Sequence, residues 1–257
     1  MTPLNKRSCT FWIMILTIIG FLCTLLLDLL SVYSWAPIRR PDTYFLLSGE
    51  WYNILQHPWQ PISYLFLHNS FYHLLLNLLL IYLFTPLFEK RLGKKNLFVS
   101  YLIAGAIAGL FYPLLFSLYE FFFTRPILHL PLAGASGGIV AIVVATGMIS
   151  PQHPIYLWKK KVPLIFFSIG VALLSFLFVG TYNLGGVSVH IGGIVVGICI
   201  GIYYRYQLKK RSLRIADEEK SAILIEKIKQ SGFSSLTKEE RIFLMNLCRK
   251  EEKCNEN

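Results

Sequence analysis

Residues 189–204 of the chain read VHIGGIVVGICIGIYY and contain no charged side chain. In lipid every backbone N–H and C=O group must bond within its own segment, so this stretch is predicted to be a membrane-spanning helix. Gly193, Gly197 and Gly201 recur at every fourth residue and therefore share one face of that helix. Because a face of bare backbone lets a second helix approach closely, we expect tight helix packing here.

Five further apolar segments precede this one, and together they predict an all-α membrane protein with six transmembrane helices. Only the first contains a charged residue, Asp28. That segment lacks the small-residue cleavage site of a signal peptide, so we interpret it as a retained span. The five segments lie at about Phe11–Leu30, Tyr64–Phe84, Asn96–Phe116, Ala135–Ile149 and Val162–Val179.

The composition is that of a membrane protein. Of the 257 residues, 54% are hydrophobic and 15% are charged, and the mean hydropathy is +0.53. Soluble domains carry about 25% charged residues, so the composition excludes a disordered chain and disfavours a water-soluble globule. The five cysteines form no CxxC pair, which argues against a disulfide framework or a metal site.

The distribution of basic residues predicts the orientation of the helices. With the amino terminus inside, fourteen Lys and Arg fall on the inner side and three on the outer side, which places both termini in the cytoplasm. Because the formal charge of +11 is spread over successive loops, a nucleic-acid partner is disfavoured. The outer three are Arg39, Arg40 and Arg125, and the inner ones are Lys6, Arg7, Lys90, Arg91, Lys94, Lys95, Lys159, Lys160, Lys161, Arg205, Lys209, Lys210, Arg211 and Arg214.

The chain becomes polar from about residue 207, which predicts two domains: a six-helix core over 1–206 and a helical cytoplasmic tail over 207–257. In the tail, Ser221–Gln230 has the pattern of an amphipathic helix that ends at Ser231-Gly232. Thr237 and Glu240 have the spacing of a capping box, which predicts a second helix through about Arg249. The tail is either a solvated appendage or a regulatory module that binds an unknown partner.

Three polar residues are predicted to lie at one depth in the membrane. His73, Ser136 and His190 stand near the starts of the second, fourth and sixth segments, and these three segments all run from outside to inside. Ionisable or polar residues within a span are functional candidates because they are expensive to bury in lipid. A serine hydroxyl becomes a nucleophile when a base accepts its proton, and His190 is the candidate base for Ser136.

The neighbouring residues are suited to stabilising an oxyanion. His73 and Asn77 are four residues apart, so both side chains share a helix face and can donate hydrogen bonds. Ser136 stands at a helix start, where free backbone N–H groups favour a developing negative charge. Because no acidic residue is present to act as the third member of a triad, the pattern predicts a Ser-His dyad.

His68 is either structural or lines the cavity. Each of these signals by itself also has a purely structural explanation, in helix packing or helix–helix hydrogen bonding.

Taken in order, three motifs resemble those of the rhomboid intramembrane serine proteases. They are HNSFYHLLLN at residues 68–77, GASG at residues 134–137, and HIGG at residues 190–193 followed by Gly197. The resemblance covers about residues 8–206. It implies a water-filled cavity open to the outside and cleavage of transmembrane segments of other proteins near the outer surface, with no metal or nucleotide cofactor.

The resemblance also implies roles for individual residues and a location in the bacterial plasma membrane. Ser136 is implied as the nucleophile and His190 as the base. The oxyanion hole is implied to comprise His73, Asn77 and backbone amides at Ser136 and Gly137. Gly134 and His68 are candidate cavity-lining residues.

The chain departs from the family pattern at two positions. Trp59 is followed by Gln60 where many members have arginine, and Val140 stands one helical turn after the serine, where many members place an aromatic residue against the catalytic histidine. The first departure removes an arginine that would order the outer loop and leaves the dyad untouched, whereas the second predicts a less firmly held histidine and low activity. Two other functions remain open: a rhomboid-like binding module without activity, which should lack the serine or the histidine, and a small transporter or channel, which the uncharged later spans disfavour.

Overall fold

The structure, a computed structural model, describes residues 8–33, 44–124, 128–157, 160–179 and 183–255. These residues are predominantly helical, with one short antiparallel hairpin in which Pro154 pairs with Pro163. The basic residues at positions 6, 7, 39, 40, 125 and 159 lie outside the described residues. The helices are α1 (Cys9–Tyr33), α2 (Trp51–Gln56), α3 (Gln60–Ser63), α4 (Phe71–Leu92), α5 (Lys94–Phe123), α6 (Ser136–Ile149), α7 (Leu164–Val179), α8 (Leu184–Ser231) and α9 (Lys238–Asn255), and the hairpin strands are β1 (Pro154–Leu157) and β2 (Lys160–Pro163).

Each of the six predicted apolar segments contributes to a helix. Four of these helices, α1, α4, α5 and α8, are long and apolar enough to cross a membrane, and the apolar helices α6 and α7 are shorter. The second segment begins differently from the prediction: Tyr64–Phe66 forms a separate 3-10 turn, and α4 starts only at Phe71. Ser70 takes an extended backbone conformation at the helix cap, a position that serine favours over a helix interior. His68 therefore precedes the helix, and its predicted place inside the second helix is wrong.

Helix α6 is the centre of the bundle. Ten of its 14 residues are buried, and it packs against α4, α5 and α7. The predicted glycine face of α8 packs against it as well: a Cβ atom on Gly193 would lie 2.6 Å from the carbonyl oxygen of Gly137, and one on Gly197 would lie 2.7 Å from that of Ala141. The prediction of close packing along this glycine face is confirmed, because no larger side chain fits without moving the backbone of α6.

Helix α8 continues well beyond the apolar segment. The chain divides into two compact units, Met1–Tyr203 and Tyr204–Asn257, yet the helix runs through that boundary to Ser231 without a break. The polarity change near residue 207 therefore does not interrupt the backbone. The reason is that residues 205–230 contain neither glycine nor proline and are rich in strong helix formers.

The second unit is a helical hairpin. Its first helix ends at Ser231, and Gly232 follows with φ +77°, as the sequence predicts. The capping box is confirmed: the backbone N–H of Thr237 donates to Glu240 Oε2 at 2.7 Å, and the N–H of Glu240 donates to Thr237 Oγ1 at 3.3 Å. The second helix runs to Asn255, a few residues further than predicted.

Candidate active site

A cavity of about 640 Å³ lies among α4, α6, α7 and the first turns of α8. The polar side chains that line it include His73 and Asn77 from α4, Ser136 from α6 and His190 from α8. The structure thus brings together the three side chains that the sequence places at one depth, and Asn77, which the sequence places on the helix face of His73. Much of the remaining lining is apolar and includes leucines of α4 together with Val171 and Leu174 of α7, so a hydrophobic segment can be accommodated next to the polar groups.

Ser136 is the first residue of α6 and is half-buried, so its hydroxyl remains accessible from the cavity. The first N–H groups of a helix have no acceptor within that helix. At this end of α6 those groups belong to Ser136 and Gly137, the two positions that the resemblance places in the oxyanion hole. The positive end of the helix dipole adds to their field. The serine is therefore placed where a negative charge is favoured.

The segment before Ser136 is fastened to the rest of the core. Leu132 exchanges two backbone hydrogen bonds of 2.9 Å with Leu47, and the N–H of Gly134 donates to the carbonyl of Tyr64 at 3.0 Å. Gly134 has φ +140°, and a Cβ atom there would lie 2.5 Å from Cε1 of His73. Only glycine fits both requirements. The imidazole of His73 therefore packs directly on the backbone that leads to the serine.

Close packing also brings the start of α8 to the first turn of α6. A Cβ atom on Gly137 would lie 2.5 Å from Cγ1 of Val189, the residue before His190. His190 itself is 5% exposed. The residue after the serine thus touches the residue before the histidine. Because Gly193 meets Gly137 as well, the two helices hold this register over a full turn.

His68 is fully buried next to the site and does not belong to the residues that line the cavity, whereas Gly134 does. Its Nε2 accepts a hydrogen bond from the Asn77 amide at 2.7 Å and a longer one from the backbone N–H of Ala135 at 3.4 Å. Two donors directed at Nε2 require that nitrogen to be unprotonated, so the ring proton of a neutral His68 resides on Nδ1. His68 thereby links Asn77 to the residue that precedes the serine.

The two departures from the family pattern have different surroundings. Gln60 is 3% exposed, and its Oε1 accepts the backbone N–H of Ser48 at 3.2 Å, so this side chain fastens the loop through one hydrogen bond. Val140 is buried and lines the cavity. The aromatic residue that contacts His190 is instead Phe176 on α7, with ring centroids 5.9 Å apart. No sequence signal distinguishes Phe176 from the other aromatic residues of its apolar helix.

Comparison with known proteins identifies the family. A family model described as "Rhomboid domain" matches residues 55–207, which is more than half of the chain. The match includes all three motifs and therefore every residue of the candidate site.

Several characterised relatives are similar to the chain. "Rhomboid protease GlpG" of Yersinia pseudotuberculosis is 27% identical over 76% of this chain and 62% of its own length. "Rhomboid protease AarA" of Providencia stuartii is 29% identical over 66% of this chain and 61% of its own. "Rhomboid protein 1, mitochondrial" of Saccharomyces cerevisiae is 28% identical over 58% of this chain and 42% of its own. The chain thus spans less than two thirds of the length of these relatives.

Proposed function

The chain belongs to the rhomboid family, and from this premise we propose that it is an intramembrane serine endopeptidase. It cleaves transmembrane segments of other membrane proteins near the outer membrane surface. The observation that carries the proposal is the shared cavity, in which the half-buried Ser136 and the imidazole of His190 face one water-accessible space. Two relatives whose names contain "rhomboid protease" agree with this activity.

In the proposed reaction Ser136 Oγ attacks the scissile carbonyl carbon while His190 accepts the hydroxyl proton. The negative charge that develops on the carbonyl oxygen is stabilised by the backbone N–H groups of Ser136 and Gly137 and by the side chains of His73 and Asn77. The imidazolium then donates its proton to the leaving amine. Water, activated by the same imidazole, hydrolyses the acyl-enzyme and regenerates the serine hydroxyl.

The substrate must expose its backbone to reach the serine. A transmembrane helix has its carbonyl groups engaged in internal hydrogen bonds, so the segment at the scissile bond has to unwind locally. Helix-breaking or small residues lower the free-energy cost of unwinding. We therefore expect substrates with glycine, proline or small residues close to the cleaved bond.

We further propose the topology and location that the basic residues indicate. The six apolar helices span the membrane with both termini in the cytoplasm, the core comprises residues 1–206, and the tail of residues 207–257 is cytoplasmic. This orientation puts the starts of α4, α6 and α8, and with them the site, towards the outer surface. Two of the relatives come from bacteria, which agrees with a bacterial plasma membrane.

Fluorophosphonate labelling of the detergent-purified protein tests the nucleophile without a known substrate. We expect the wild type to be labelled, Ser136→Ala to lose labelling completely, and His190→Ala to lose most of it, by roughly a thousandfold in rate. Ser188→Ala is the matched control, because its hydroxyl donates to the Leu184 carbonyl and it does not line the cavity. It should label like the wild type.

Cleavage of a model transmembrane substrate in liposomes is the second arm. A folded wild type that is neither labelled in detergent nor able to cleave in liposomes would contradict the proposal and favour the binding module. Labelling that persists in Ser136→Ala would assign the reactive hydroxyl to another residue.

A further inference from the structure

The imidazole of His190 is in contact with an aromatic ring from a different helix. The ring centroids of Phe176 on α7 and His190 on α8 are 5.9 Å apart, and the planes cross at 68°, an edge-to-face arrangement. Aromatic pairs favour this geometry because the edge of one ring is positive and the face of the other is negative. The contact therefore depends on the direction of the imidazole plane as well as on its position.

No side-chain hydrogen bond sets that direction. Nδ1 of His190 is buried and makes no hydrogen bond of ordinary geometry within the part of the chain that the structure describes, although the backbone of Ser175 lies near the imidazole. In serine hydrolases with a triad, a carboxylate on this nitrogen orients the imidazole. Here packing contributes to the ring direction, because His190 is 5% exposed and therefore enclosed by its neighbours.

The neighbouring helix α6 offers no ring for this purpose. Val140, one turn after the serine, is buried against Gly193 of α8, where a Cβ atom would lie 3.2 Å from the Val140 Cβ. An aliphatic side chain fills volume but has no charge distribution that favours one ring angle. Of Val140 and Phe176, only the ring of Phe176 has a charge distribution that can favour one orientation of the imidazole.

We propose that Phe176 is a positioning residue for His190, whose edge-to-face contact directs the imidazole towards the Ser136 hydroxyl. Helix α7, which carries none of the predicted catalytic residues, then takes part in general-base catalysis. This inference rests on the proposed function. It explains how a buried histidine with no side chain bonded to Nδ1 keeps one direction.

The test compares substitutions of Phe176 that remove the ring with one that keeps it. Phe176→Leu retains an apolar side chain without a ring, and Phe176→Tyr retains the ring. We expect Phe176→Leu to lower both kcat for a model transmembrane substrate and the rate of fluorophosphonate labelling by roughly three- to tenfold, with little change in KM. Phe176→Tyr should stay within about twofold of the wild type.

Phe166→Ala is the control for loss of an aromatic ring from the same helix. Its side chain is 64% exposed and does not line the cavity, so labelling and cleavage should not change. Thermal unfolding of every variant separates positioning from stability, because positioning predicts reduced kcat in a chain that unfolds at the wild-type temperature.

Three outcomes would overturn the inference. Phe176→Leu could label and cleave at the wild-type rate, its loss of activity could follow a matching loss of thermal stability, or Phe176→Tyr could be as impaired as Phe176→Leu. A wild type that is inert in both assays would instead contradict the proposed function, and the positioning role with it. The two failures are distinguishable, because the activity of the wild type tests the proposed function and the activities of the Phe176 variants test the positioning role.

Discussion

Helix α8 is packed in one way along its amino-terminal part and in another way along its carboxyl-terminal part. In the first part, Gly193 and Gly197 bring the helix backbone against that of α6 at distances that no side chain could occupy. In the second part, charged side chains reach across to α9: the ammonium of Lys227 lies 2.9 Å from Glu240 Oε2, and that of Lys220 lies 4.4 Å from the ring centroid of Phe243.

The difference is what we expect of a helix that passes from lipid into water, as the proposed topology requires. Lipid tails are as apolar as leucine, so burying leucine between two membrane helices gains little, and close van der Waals packing of small residues has to stabilise the contact. In water the hydrophobic effect acts on a narrow apolar face, and Leu224 and Leu236 are accordingly buried in the hairpin. The change in packing agrees with the proposed exit of α8 from the bilayer.

The largest effect that we expect is a loss of activity at acid pH, because His190 lies in the amino-terminal part of α8. His190 accepts a proton only when its imidazole is neutral, so activity should fall about tenfold for each pH unit below the midpoint of its titration. The measurement is the labelling and cleavage rate from about pH 8 down through the ordinary histidine range and below it, with thermal unfolding at each pH to show that the protein is still folded. A rate that stays flat down to the lowest pH at which the protein remains folded would count against His190 as the base.

Gly197→Ala tests the backbone contact between α6 and α8. The new Cβ would lie 2.7 Å from the Ala141 carbonyl oxygen, so the helices must separate, and we expect a loss of about 1–3 kcal/mol in the free energy of unfolding. Gly170→Ala on α7 is the matched control, since a Cβ atom there would meet no atom of the described residues within 4 Å beyond its own neighbours in the helix. There the better helix propensity of alanine should stabilise the protein by up to about 1 kcal/mol. Equal unfolding temperatures for the two variants in detergent would refute the role of the glycine face.

The smallest effect concerns the hairpin of the second unit. Hydrogen bonds from Lys227 and from the backbone N–H of Thr237 hold the pKa of Glu240 below its ordinary value. A depressed carboxyl pKa stabilises the folded state above the ordinary pKa, and that stability is lost as the pH falls through the folded-state value. The hairpin should therefore loosen at acid pH, below about pH 4.

Glu240→Gln should remove this dependence and speed hydrogen exchange of the α9 amides by about two- to threefold at neutral pH, as expected for one exposed ion pair. Glu239→Gln is the control, because it removes the same charge from the same helical turn without touching the Lys227 pair. If both variants exchange alike, net charge rather than the specific pair stabilises the hairpin.

Much of this organisation could be predicted because it depends on short stretches of sequence. The apolar segments, the glycine face of α8 and the Thr237–Glu240 capping box depend on residues that are close in sequence. The meeting of Ser136, His190 and His73 about one cavity could be anticipated from depth, since alternate spans run in the same direction, and Asn77 follows from its spacing to His73. Two expectations failed where local signals compete: α4 starts after His68, and the helix predicted over Ser221–Gln230 is the end of α8 rather than a separate element.

Other features were decided only by the tertiary structure. The bond from Asn77 to His68, the Leu47–Leu132 bridge that fastens the segment before the serine, and the ring contact of Phe176 with His190 join residues from different elements. Hydrophobic pattern determines which segments become helices and how deep each residue lies. It does not determine how far each helix is rotated about its axis, because that angle results from the simultaneous packing of all its neighbours.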